Sequence, residues 1–74
     1  MTLPNDERYE VIRGDGPDTS FVELWDKSLA PGGLAFELIR SEHGETALTG
    51  HGVQVPFKVF EMFLREARAY LTTR

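Results

Sequence analysis

His43 and His51 are the only two histidines of this 74-residue chain, and Glu42 and Glu45 flank the first of them in the run EHGE. Imidazole and carboxylate together are a donor set that a divalent metal accepts. The run lies where a tight turn is expected, so a polar connection is the simpler reading and no metal site is predicted. Serine, histidine and acidic side chains are all present, but no serine has the G-x-S-x-G setting that exposes a nucleophile on a strand-to-helix turn. Glu23 and Glu37 form a candidate acid pair. Acid–base work needs a cleft that separates the two pKa values, and a single thin sheet offers little room for one. The glycines of GDGPD, PGG and GHG match neither phosphate-cradling pattern, G-x-G-x-x-G or G-x-x-x-x-G-K-[ST]. RGD at 13–15 reads as a turn with a charged shoulder. The expectation is a protein with no catalytic residue, no metal and no cofactor.

Size and composition narrow the classes further. A chain of 74 residues makes one domain at most, with a poor ratio of core to surface and a net stability of only a few kcal/mol. Small domains compensate with disulfides, a metal or a partner. The chain has no cysteine, which removes disulfides and thiolate zinc and leaves association as the open route. The opening MTLPNDER has no apolar run of the secretory kind, and nothing approaches the roughly 18 consecutive apolar residues of a membrane span. A cytoplasmic protein is the plain expectation. The net charge of −4 is unevenly spread: residues 1–52 hold ten acids and four bases, residues 53–74 two acids and four bases. Nucleic-acid binders normally carry a basic patch, so an acidic body speaks against nucleic acid as a partner.

The chain divides into a polar tail, residues 1–8, and one domain, residues 9–74. YEVIR (9–13), SFVELWD (20–26), LAFELIR (34–40) and ETALTG (45–50) read as strands, rich in β-branched and aromatic residues and separated by turn chemistry. The Pro31-Gly32 pair suits the centre of a type II turn. VPFKVFEMFLREARAYL (55–71) reads as a helix with Pro56 at its first position. The predicted fold class is α+β: a four-stranded antiparallel meander with one C-terminal helix packed on one face, β-β-β-β-α.

Alternation assigns the faces. Val22 and Leu24, with Leu34, Phe36, Leu38 and Leu48, belong under the helix. Phe21, Glu23 and Trp25, with Ala35, Glu37 and Ile39, belong on the opposite, outer face. On the helix, a step of about 100° per residue places Phe57, Phe60, Leu64, Ala67 and Leu71 in one stripe. Val59, Met62, Phe63, Glu66 and Tyr70 form a second line beside it. That shoulder is either covered by the sheet or offered to another chain. Exposed Trp, Phe, Tyr and Met are the residues enriched at interface centres.

Four strands followed by one helix resembles the repeat unit of the Whirly- and Pur-type single-stranded nucleic-acid binders, over nearly the whole chain, in element order and size. The resemblance implies bases stacked on a sheet surface, with Phe21 and Trp25 as the stacking residues. Here Glu23 and Glu37 would face the phosphates, with Lys27 and Arg40 near enough in sequence to offset them. The favoured expectation is therefore a small acidic protein-binding domain. It would be an adaptor, inhibitor or regulatory subunit of the kind found in phages and mobile elements, meeting a basic surface on another protein. Its expected contact residues are Phe21, Glu23, Trp25, Glu37 and Ile39 on the sheet and Val59, Met62, Phe63 and Tyr70 on the helix. A homodimer through the helix shoulder or a sheet edge is compatible with that use, and single-stranded nucleic-acid binding is the alternative.

Overall fold

The computed structural model describes residues 8–29 and 31–72. Strands β1 (Tyr9–Asp15), β2 (Thr19–Asp26), β3 (Leu34–Ser41) and β4 (Thr46–Gly50) precede one helix, α1 (Phe57–Thr72), with a short 3₁₀ turn at Lys27–Leu29. The strands form one antiparallel sheet in the order β1-β2-β3-β4. The expected α+β meander with one C-terminal helix is therefore what forms. Each connection uses residues suited to it. Gly16 N–H closes the β1–β2 turn on the Thr19 carbonyl at 2.7 Å, and Gly44, at φ 85°, takes the left-handed position in the β3–β4 turn, where a side chain would be strained.

The helix lies on the inner face of the sheet. Tyr9, Val22, Leu24, Ala35 and Leu38 from the strands meet Val59, Phe63, Ala67 and Leu71 from the helix in one buried cluster. Polar contacts hold its two flanks. Arg13 pairs with Glu66 at 3.4 Å and its guanidinium lies over the Tyr70 ring on the β1 side. On the β3 side Phe36 packs on Phe60 at 4.7 Å between centroids, and Arg40 donates to the Leu71 carbonyl.

Several sequence expectations are corrected. The helix is rolled by about 50°, half a residue step, from the expected stripe. Its buried line is Val59, Phe63, Ala67 and Leu71, so Val59 and Phe63 are core residues at 0% exposure and not an outer shoulder, while Phe57 is 71% exposed. The reason is that the apolar arc is broader than one contact line, and the inner face of β2 and β3 seats its middle.

The pairing of β2 with β3 shifts between Leu24 and Trp25. The shift is a bulge: Leu24 pairs with Phe36 but Trp25 with Leu34, leaving Ala35 as the additional residue. Leu34 thereby moves to the outer face beside Trp25, and Ala35 enters the core. The Pro31-Gly32 pair is not the centre of a type II turn. Gly32 N–H donates to the Leu29 carbonyl at 3.0 Å, which makes Pro31 and Gly32 the third and fourth turn residues. Leu48 does share the inner face, opposite Leu38, yet it is 48% exposed because the helix does not reach over β4.

Arg8, assigned to the tail, belongs to the domain. Its carbonyl accepts from Lys27 N–H at 2.7 Å and its guanidinium grips Asp26. The remainder of the expected tail, 1–7, lies outside the described residues.

Candidate protein-binding face

Among the described residues no helix lies on the outer face of the sheet, and the strand register arranges its side chains in three rows. One row runs from Gly14 through Phe21 and Ile39 to Ala47. The second runs from Ile12 through Glu23 and Glu37 to Thr49. The third comprises Glu10, Trp25 and Leu34. An apolar row, an acidic row and a mixed row therefore lie side by side.

Local packing holds each row. The Phe21 ring lies across Gly14, where an added Cβ would come within 2.9 Å of it, so β1 has a glycine opposite the largest side chain of that row. Trp25 Nε1–H donates to Glu23 Oε1 at 3.0 Å. Residues two apart on a strand share a face, and this bond ties the half-buried indole to its neighbour along β2. A shallow depression of about 240 Å³ opens beside Trp25, walled by Glu10, Ile12, Lys27 and Pro31.

The charged side chains that the strands present on this face are all acidic, with Lys27 at its margin beside Trp25. Glu10, Glu23 and Glu37 point outward from the strands, and no lysine or arginine does so among the described strand residues. Arg40, expected to offset them, is on the inner face with its guanidinium on the helix end. Glu23 and Glu37 stand directly opposite one another, an arrangement that destabilises a sheet. Glu23 accepts from Trp25, and His51 Nε2 lies 3.9 Å from the Glu37 carboxylate.

Of the residues predicted to make contact, Phe21, Glu23, Trp25, Glu37 and Ile39 come together here. The helix residues do not join them. Val59 and Phe63 are in the core, and Met62 and Tyr70 pack partly buried against it on the opposite side of the sheet. Glu10, Ile12 and Leu34 were missed. The alternation of YEVIR could have placed Glu10 and Ile12 beside Trp25, while Leu34 depends on the bulge.

The second charged cluster is Asp26, buried at the end of β2. Arg8 donates to both of its oxygens at 3.1–3.3 Å, and Ser28 donates through its N–H at 3.0 Å and its hydroxyl at 2.6 Å. The Arg8 hydrogen bonds, then those of Ser28, hold this carboxyl below the usual carboxylate range against an opposing desolvation. Its fully engaged oxygens make it a clasp between the start of β1 and the end of β2.

The His43 side chain pairs with its neighbour Glu42, at 3.5 Å on the surface. Among the described residues no three His, Cys, Asp or Glu side chains gather closely enough to hold a metal ion. No described helix is long and apolar enough to cross a membrane. The chain matches no protein-family model, and no curated protein or solved structure shows significant similarity to it.

Proposed function

We propose that this chain is a small non-catalytic protein-binding domain that engages a basic surface of its partner through the outer sheet face. The observation that carries the reading is the Glu23–Glu37 pair set between Phe21, Trp25, Ile12, Leu34 and Ile39 on an uncovered face. Like charges placed opposite one another cost folding stability, and a cationic partner removes that cost on binding. The aromatic and aliphatic neighbours supply the apolar area from which affinity comes, while the carboxylates steer and select the partner. An adaptor, an inhibitor or a regulatory subunit would each use such a face.

Trp25 is the only tryptophan, so its fluorescence reports on this surface directly. Trp25→Ala is expected to leave a folded domain by circular dichroism while partner binding falls by about 2 kcal/mol or more. The partner is to be obtained by co-purification from the native host with the wild-type chain as bait. Loss of folding in Trp25→Ala, or undiminished capture of the same partner, would sink this reading.

A further inference from the structure

The two edges of the sheet are unlike. β1 carries Glu10, Arg13 and Asp15, the charged residues that natural edges use to discourage pairing. β4, TALTG, has no charge and no proline, and it is exposed along its whole length. Two hydrogen bonds show how its backbone is turned. Ser41 N–H donates to the Glu45 carbonyl at 2.8 Å, and His51 N–H to the Ala35 carbonyl at 3.0 Å. Antiparallel strands bond through alternate residues, so Glu45, Ala47, Thr49 and His51 turn their backbone groups toward β3. Thr46, Leu48 and Gly50 turn their N–H and C=O groups toward the open edge.

We infer that β4 is a homodimer edge, pairing antiparallel with β4 of a second copy about a two-fold axis through Leu48. Outward-turned residues must meet outward-turned residues. The register that satisfies all three sets Leu48 opposite Leu48 and Thr46 opposite Gly50, an isologous contact that closes on itself. Three further features fit that occupant. Leu48, 48% exposed, meets its own copy on the helix side of the sheet, where each covers the other's apolar side chain. No charge lies on the strand to repel its mate. In the same register Glu45 of each copy stands opposite His51 of the other, so the acidic and imidazole side chains flanking β4 are complementary across the axis. The axis is perpendicular to the sheet, so both acidic faces look the same way and the charged β1 edges become the two ends of an eight-stranded sheet. A strand of this length gives an interface at the small end of the range, and association in the micromolar range is expected.

This inference rests on a different surface from the outer face and can fail without it. The test is sedimentation equilibrium on the whole chain across the micromolar range, with three variants. Thr46→Pro removes an outward N–H without touching the β3 ladder, and Leu48→Lys places like charges on the axis. Both are expected to stay folded and to associate at least about tenfold more weakly. The chain has no cysteine of its own, so Leu48→Cys is expected to form a disulfide-linked dimer on mild oxidation, because position 48 is its own partner. Thr46→Cys is expected not to do so. A wild-type chain that stays monomeric throughout, a dimer indifferent to Thr46→Pro and Leu48→Lys, or equal cross-linking at 46 and 48 would each overturn the proposal.

Discussion

Asp26 ends β2 with a carboxylate that Arg8 and Ser28 satisfy from two directions, and beside it the backbone is drawn unusually close. Asp26 N–H donates to the Gly33 carbonyl at 2.7 Å, and a Cβ on Gly33 would stand 2.0 Å from the Asp26 carbonyl oxygen. Only glycine permits that approach. Because the folded state holds the Asp26 carboxyl below its ordinary range, the folded chain binds this proton less readily than the unfolded one. Its contribution is present above the unfolded carboxylate pKa, near 3.9, and is lost as pH falls through the lower folded value. Thermal melts followed downward from neutral pH should show an acid-induced loss of stability. Asp26→Asn should lower Tm at neutral pH and reduce the acid dependence below about pH 4. An Asp26→Asn chain as stable as the parent at pH 7 would remove the clasp role.

At the scale of the element, the helix carries more apolar residues than one contact line needs, and the sheet decides which of them are buried. Phe63 lies at the centre of the interface at 0% exposure, whereas Phe57 stands at the helix start at 71%. The same substitution at the two positions should therefore give opposite outcomes. Phe63→Ala is expected to cost about 3–5 kcal/mol, enough to unfold most of a domain whose whole stability is of that order. Phe57→Ala should stay within about 0.5 kcal/mol of the parent. Urea denaturation of both variants checks the roll of the helix. Comparable destabilisation at both would mean that the expected stripe, centred on Phe57, Phe60 and Leu64, is the one buried in solution.

The described residues form two layers, a sheet and one helix, with principal extents of 34 × 23 × 16 Å. One face of the sheet is consumed by the core and the other presents Glu10, Glu23 and Glu37 with no strand base beside them. Element order is that of the Whirly- and Pur-type repeats, but phosphate would meet carboxylate on this surface. Labelled single-stranded DNA or RNA titrated at low salt should show no sub-micromolar binding. Glu23→Lys combined with Glu37→Lys, which adds cations to an aromatic platform, should create a weak affinity that falls steeply with salt. Tight, salt-sensitive binding by the unaltered chain would favour the nucleic-acid reading over protein binding.

Strand-like composition in YEVIR, SFVELWD, LAFELIR and ETALTG, the turn residues between them and the apolar period of the C-terminal segment gave the order of elements and the antiparallel meander. Alternation in SFVELWD separated Val22 and Leu24 from Phe21, Glu23 and Trp25. These are local properties: each depends on a period of two or 3.6 along a short stretch. What lay beyond the sequence depends on contacts between distant residues. The roll of α1 is set by how Phe63 and Val59 seat on β2 and β3, which no helical period specifies. The bulge at Ala35 moves Leu34 to the outer face, because register is a property of two strands. Arg8 and Asp26 are 18 residues apart in the chain and meet only once β1 and β2 pair. The exposure of Leu48 follows from the width of one helix against four strands, so only the tertiary structure leaves β4 as an open edge.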